Sequence, residues 1–263
     1  GRALPQLPLS IGPQGELNAA GPFVPTALVV VQAGNQVFEA GETAVVAPTW
    51  RNDTGATQPL TGAASLFTGP GTSTYTITDP AADYGAAVLA GATSNCSPAT
   101  GNCYGFSVSV PATRPSVHWD STFRETLSSA DVKNWTLHLG DSFTDVPRTN
   151  GFYRFIETLL HKQITGGCGT GVYCPGGSTL GEQMAVFVLV AKEGAGYTPP
   201  ACGTPVFADV PASSPFCRWI EELARRGVVS RCGGGDYCPA AAVSREQMGV
   251  FISVTFGLAL YGP

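Results

Sequence analysis

Over the first half of the chain the apolar residues fall in short runs, several alternating with polar or small positions at a period of two. That period belongs to half-buried strands, whose side chains point in turn to opposite faces of a sheet. Six runs fit: Ala27–Gln32, Thr43–Trp50, Ala63–Phe67, Thr74–Thr78, Tyr104–Val110 and Trp135–Leu139. Tyr75 and Ile77 alternate with threonine, and Phe106, Val108 and Val110 alternate with serine. Turn formers separate the runs at Ala40-Gly41-Glu42, Asn52-Asp53-Thr54-Gly55, Gly69-Pro70-Gly71 and Asp79-Pro80. Strands at this spacing predict a β-sandwich over residues 25–140. Residues 1–24 are punctuated by Pro and Gly, with Leu4, Leu7, Leu9 and Ile11 partly alternating. They read as an extended arm, either a mobile leader or a strand that docks on the open sheet edge of a neighbouring subunit.

Beyond residue 141 the period lengthens. Phe152, Phe155, Ile156, Leu159 and Leu160 fall at i, i+3, i+4, i+7 and i+8, and Phe216, Trp219, Ile220, Leu223 and Ala224 repeat that spacing. Each set predicts one apolar helix face, with Glu157, His161 and Lys162, or Glu221, Arg225 and Arg226, in solvent. The match between the two sets is part of a longer duplication. Phe143-Thr144-Asp145-Val146-Pro147 corresponds to Phe207-Ala208-Asp209-Val210-Pro211, and the same offset runs without a gap. It pairs Cys168 with Cys232, Tyr173 with Tyr237, Cys174 with Cys238, Met184 with Met248 and Phe187 with Phe251. An internal repeat of this kind is a supersecondary unit used twice. Each copy reads as helix, Cys-x5-Cys-Pro loop, helix, with second helices starting near Glu182 and Glu246. Ser244-Arg245-Glu246-Gln247 is a capping box, in which Ser244 caps the helix and Gln247 reaches back. The domain boundaries that follow are 1–24, 25–140, 141–200 and 201–263.

Composition narrows the function classes. Gly (33) and Pro (21) are abundant, yet 43% of residues are hydrophobic and only 13% charged, which is the wrong balance for disorder. The net charge of -5 is spread along the chain without a Lys/Arg cluster, which speaks against nucleic-acid binding. No apolar run approaches the ~18 residues of a membrane span. Eight cysteines at close spacings point to disulfides and an oxidising compartment. No C-x2-C pairs suit zinc, and neither a metal nor a cofactor is expected. The sequence carries no G-x-S-x-G elbow, H-E-x-x-H helix or P-loop, and the expectation is a protein that is not an enzyme. Arg114-Pro115-Ser116-Val117-His118-Trp119-Asp120 concentrates ring, charge and imidazole; it is either rim packing or a binding site. Sequons stand at Asn52, Asn95 and Asn134.

Two resemblances add to this reading. Ala40-Gly41-Glu42-Thr43 followed by Val45-Val46-Ala47-Pro48-Thr49-Trp50-Arg51-Asn52 loosely resembles Ig-like extracellular adhesion modules. The Phe-x-Asp-Val-Pro turn, amphipathic helix, Gly-rich turn and Ser-Arg-Glu-Gln-Met helix start resemble the S-layer homology repeat, from residue 143 to about 257. The implied fold class is multidomain β + α, an Ig-like β-sandwich followed by two helix-loop-helix repeats. In that family, groups of repeats attach surface proteins to cell-wall polymers or help build surface layers, and the Arg of a Thr-Arg-Ala-Glu-like motif contributes to polymer binding. Here that position is Arg245, and the resemblance makes Arg245, Glu246 and Asp209 the candidate ligand-binding residues. The ordinary alternatives are an exposed first-turn cation and turn-forming acids. The first copy has Leu180-Gly181-Glu182 at the motif, lacking both hydroxyl and cation, and two copies stand where polymer-binding assemblies use three.

The repeat also assigns the disulfides: Cys168–Cys174 and Cys232–Cys238 staple the interhelical loops, and Cys202–Cys217 follows by elimination, with an intermolecular role as the alternative. Cys96 and Cys103 are expected to bridge a loop before the Tyr104–Val110 strand. The leading functional expectation is a structural subunit or module of a bacterial extracellular assembly, such as a surface layer, filament or sheath, that self-associates or meets other subunits. The alternative is an anchor that binds envelope glycan within a larger secreted protein. Either way the expected location is extracellular, at the bacterial cell surface. The apolar tail from Phe256 onward is expected to pack on the domain or on a neighbour.

Overall fold

In the computed structural model, residues 22–31, 34–228, 232 and 234–258 are described. Most of the expected arm (residues 1–21), the end of the first predicted strand at Gln32 and the last part of the tail (residues 259–263) lie outside them. The chain divides into two units, Gly1–Glu157 and Thr158–Pro263.

Among its described residues the first unit holds nine strands: β1 (Phe23–Val30), β2 (Thr43–Asn52), β3 (Gln58–Thr68), β4 (Tyr75–Asp79), β5 (Ala81–Val88), β6 (Thr93–Asn95), β7 (Tyr104–Val108), β8 (Asp120–Leu127) and β9 (Val132–His138). A single-turn helix, α1 (Cys96–Ala99), follows β6. All named strand pairings are antiparallel. One sheet has the order β1-β2-β7-β4, with β6 also on β2, and the other runs β5-β3-β8-β9. Their inner faces share one core built around Trp50, Tyr84, Tyr104, Phe106, Trp119 and Phe123. Pro48 would remove a ladder donor from a central strand. It falls where β2 changes partner on one side, from β7 at Thr43–Val46 to β6 at Thr49–Arg51.

Glu125 is the exception on the inner face. Its neighbours Phe123 and Leu127 alternate inward as a half-buried strand requires, and Glu125 is buried with them. Four donors meet its carboxylate: Trp50 Nε1 (3.1 Å) and Trp135 Nε1 (2.5 Å) on Oε2, Tyr84 hydroxyl (2.5 Å) and Tyr104 hydroxyl (2.8 Å) on Oε1. Burial pushes the carboxyl above the ordinary carboxylate range, and the four hydrogen bonds only partly pull it back. Gly62 leaves the room: a Cβ there would overlap the Tyr104 hydroxyl and come within 2.8 Å of Glu125 Oε1.

Among the described residues four longer helices follow: α2 (Tyr153–His161), α3 (Gly181–Glu193), α4 (Cys217–Arg225) and α5 (Arg245–Thr255). The inward face of α2 differs from the predicted one. Tyr153, Ile156, Glu157 and Leu160 are buried, whereas Phe152 and Phe155 are 70% and 59% exposed. The Tyr153 hydroxyl explains part of that rotation, since it donates to buried Glu39 (2.9 Å) and accepts from the Asp141 amide (2.8 Å). Glu157, expected in solvent, instead accepts hydrogen bonds from the Ser142 amide and hydroxyl.

In the second unit α3 packs against α4 and α5. Met184, Ala185, Val188 and Leu189 of α3 meet Ile220, Leu223 and Phe251 in one core. The loops before α3 and α5 also pair, through Gly181 N to Ala241 O (3.0 Å), Val243 N to Thr179 O (2.9 Å) and the Tyr237 hydroxyl to Gly181 O (2.9 Å). Arg226 is drawn from solvent by Glu222 (2.5 Å), Glu193 (2.5 Å) and the Tyr197 hydroxyl (2.9 Å).

The local hydrogen bonds recur at the sequence offset. Glu157 accepts from the Ser142 amide at 3.0 Å, and Glu221 accepts from Val206 at 2.7 Å. Gln183 Oε1 accepts from Leu180 N at 3.0 Å, and Gln247 Oε1 from Ser244 N at 2.9 Å. Cys174 and Cys238 both take the left-handed backbone, at φ 61° and 58°.

Candidate functional site

The three candidate ligand residues lie in the second unit, and their side chains do different things. Arg245 opens α5, exposed, and among the described residues no hydrogen bond or ion pair engages its guanidinium. Its placement follows from the cap: Ser244 Oγ accepts from Gln247 N at 3.3 Å while Gln247 reaches back to Ser244 N. Glu246, next in the first turn, is exposed and accepts a long hydrogen bond from Ser244 Oγ (3.4 Å). Asp209 is held elsewhere. Its two carboxylate oxygens accept from the Tyr237 amide (2.9 Å) and the Cys238 amide (2.7 Å). That ties the Asp-Val-Pro turn to the cysteine loop. At Leu180 the first copy lacks the hydroxyl, so only the Gln183 half of its box remains.

All eight cysteines are bridged: Cys96–Cys103, Cys168–Cys174, Cys202–Cys217 and Cys232–Cys238. A shallow cavity of about 460 Å³ lies beside Cys202, lined by Thr198, Ser214, Arg218 and Trp219 among others.

In the first unit, the Arg114–Asp120 segment is largely spent on packing. The Arg114 guanidinium donates to Gly140 O (2.5 Å), Leu139 O (2.7 Å) and Ser142 Oγ (3.0 Å) and lies 5.3 Å from the Trp119 ring centroid. Trp119 is buried, with Nε1 on the Tyr75 hydroxyl at 2.8 Å. Of the three sequons, Asn52 is buried and donates to Ala56 and Val88 carbonyls, and Asn95 caps α1. Asn134 alone of the three is exposed.

A polar chain that sequence spacing did not reveal runs beside this segment. His138 Nδ1 lies 3.0 Å from Asp120 Oδ1, and His138 Nε2 lies 2.8 Å from Glu157 Oε2. Burial disfavours the His138 imidazolium, but the hydrogen bonds to Asp120 and Glu157 outweigh it and raise its pKa. Burial likewise pushes Glu157 up, and its bonds from His138 and Ser142 outweigh that and hold it low. Ser142 Oγ is 3.4 Å from His138 Nε2, which superficially resembles a nucleophile, base and acid. The hydroxyl is buried and donates to Glu157 at 2.7 Å, so it fixes the carboxylate rather than facing a substrate. The pairing that could have been found in advance is Asp120 opposite His138, had β8 been recognised as a strand.

Comparison with known proteins adds one domain. Residues 206–248 match the S-layer homology domain, a stretch that contains Asp209, Arg245 and Glu246. No curated protein matches the chain. Among solved structures, a FixG-related protein from Vibrio parahaemolyticus is similar at 14% identity over 46% of this chain and 96% of its own, with a TM-score of 0.28. S-layer homology domains associate with bacterial cell surfaces and bind envelope polymers, and the four disulfides fit an extracellular location. Among the described residues no helix is long and apolar enough to cross a membrane.

Proposed function

We propose that this chain is a non-catalytic envelope-anchoring protein whose helical unit attaches to a cell-surface glycan. The observation that carries the reading is the match at 206–248 around an exposed cation, Arg245, that no carboxylate neutralises among the described residues. In this reading Arg245 meets an acidic group of the polymer, with Glu246 beside it in the first turn of α5. Asp209 shapes the neighbouring loop through its two backbone hydrogen bonds. The finer architecture belongs to the same proposal: two tandem S-layer-homology-like repeats, supported by hydrogen bonds that recur at the sequence offset, behind an Ig-like β-sandwich, supported by two antiparallel sheets around one core.

Co-sedimentation of the chain with purified envelope polysaccharide tests it. Wild type is expected in the pellet, with Arg245→Ala lowering the bound fraction severalfold. Absence of wild-type binding overturns the anchor reading, and binding unchanged by the substitution removes Arg245 from it.

A second reading, the structural subunit of a surface assembly, draws on α5. Val250, Ile252 and Val254 are 40%, 42% and 39% exposed, and Phe256 beyond them is 44% exposed. Val250 with Val254 and Ile252 with Phe256 make two i, i+4 pairs of exposed apolar side chains, and exposed apolar surface marks association sites. Light scattering across a concentration series distinguishes the readings, since an assembly subunit grows in mass and a monomeric anchor does not.

A further inference from the structure

We propose that His118, Asp120 and His138 form a zinc-class metal site on the first unit. The strand register creates it. Asp120 and His138 stand directly opposite each other on β8 and β9, and His118 lies two residues before Asp120. Ligand atoms from these three residues all lie within 4.8 Å of one another. His118 Nε2 is 3.1 Å from Asp120 Oδ2, and His138 Nδ1 is 3.0 Å from Asp120 Oδ1. Zinc holds imidazole nitrogen and carboxylate oxygen at about 2.0–2.2 Å, which places tetrahedral ligand atoms about 3.3 Å apart. The two imidazole–carboxylate distances lie near that spacing, one on each Asp120 oxygen, and the remaining separation stays within 4.8 Å.

The second observation is what stands behind His138. A metal-bound imidazole characteristically donates its other ring N–H to a carboxylate, which fixes the ring and raises its basicity. His138 has that partner: Nε2 lies 2.8 Å from Glu157 Oε2. Glu157 is in turn held by the Ser142 amide (3.0 Å) and hydroxyl (2.7 Å). The ring is thus aimed with Nδ1 toward Asp120 by buried groups. The His118 and Asp120 side chains are 28% and 29% exposed, while the His118 Nε2 atom itself is buried.

The donor set, two imidazoles and one carboxylate, suits zinc and its late first-row neighbours and is poor for calcium, which takes six or more oxygens. His118, Asp120 and His138 supply three of the four positions of a tetrahedral ion. The other clusters of potential ligands among the described residues rely on Cys202 and Cys217, or on Cys232 and Cys238, whose sulfurs are bonded to each other. Binding at the histidine cluster cross-links β8 to β9.

Zinc titration of the full chain tests this, by calorimetry and by metal analysis after dialysis, without reductant so that the disulfides stay closed. The expected result is one zinc per chain and a raised melting temperature. His118→Ala and Asp120→Asn are each expected to weaken binding by about a hundredfold, and Glu157→Gln by about tenfold. Far-UV circular dichroism of each variant separates lost binding from lost folding, and His118→Ala, at a partly exposed position, is expected to keep the wild-type spectrum. Failure of wild type to retain zinc overturns the proposal. So does undiminished stoichiometric binding by folded His118→Ala and Asp120→Asn, which would place the metal elsewhere.

Discussion

The two units solve the same stability problem with different means. The β unit encloses Trp50, Trp119, Tyr84, Tyr104, Phe106 and Phe123 between two sheets and uses one disulfide, across a surface loop. The helical unit has helices of nine to thirteen residues, a core of mostly aliphatic side chains, and three disulfides. Helices this short are marginal alone, and a small core leaves little surplus over chain entropy. Bridges that restrict the unfolded chain supply what aromatic burial supplies in the other unit. The contrast teaches that a perturbation should be felt mainly in the unit that relies on the feature removed.

The largest effect is expected at Trp50. Trp50→Ala empties a buried site and removes one of the four donors to Glu125, and should cost about 3–5 kcal/mol. Calorimetry should show the β transition falling while the helical one stays in place. Opening Cys202–Cys217, whose partners are separated by 15 residues, should cost the helical unit about 3 kcal/mol. Denaturant melts of the Cys202→Ala/Cys217→Ala variant check this, and equal loss in both units would break the comparison. Asp209→Ala leaves the Tyr237 and Cys238 amides without their acceptor and should cost about 1–3 kcal/mol, visible as faster hydrogen exchange at those two positions. Ser244→Ala should cost about 1 kcal/mol by removing the cap, while Leu180→Ser should give back part of the missing one.

The smallest effect is a pH dependence in the β unit. Burial holds Glu125 above its ordinary value of 4.5, so the folded chain keeps this proton to higher pH than the unfolded chain. Its contribution is full below 4.5 and fades as pH climbs through the raised folded value. Melting temperatures of wild type against Glu125→Gln should therefore shift in the variant's favour as pH rises from that point.

The legible parts of the fold were those where inner faces were apolar. β2 and β7 carry Val46, Trp50, Tyr104, Phe106 and Val108 inward, and the runs announce themselves. β8 does not, because its inward positions are Ser121, Phe123, Glu125 and Leu127. Two polar residues break the period, and Glu125 takes its donors from Trp50, Tyr84, Tyr104 and Trp135 on four different strands. β5 was equally hard to see, since Ala82, Tyr84 and Val88 are its only buried apolar positions among small residues. The same reason hid the histidine cluster, which needs the β8–β9 register to bring Asp120 opposite His138. The start of α5 was legible because its Ser244 cap is local chemistry. The rotation of α2 was not, because Tyr153 reaches Glu39 and Glu157 reaches Ser142 through tertiary contacts.

Attachment through the helical unit is tested most directly by hydrogen exchange on the full chain, with and without purified envelope polysaccharide. The account predicts added protection within 206–248, centred on the start of α5 at Arg245, and unchanged exchange across β1 to β9. Protection confined to the strands, with 206–248 unaffected, would contradict it.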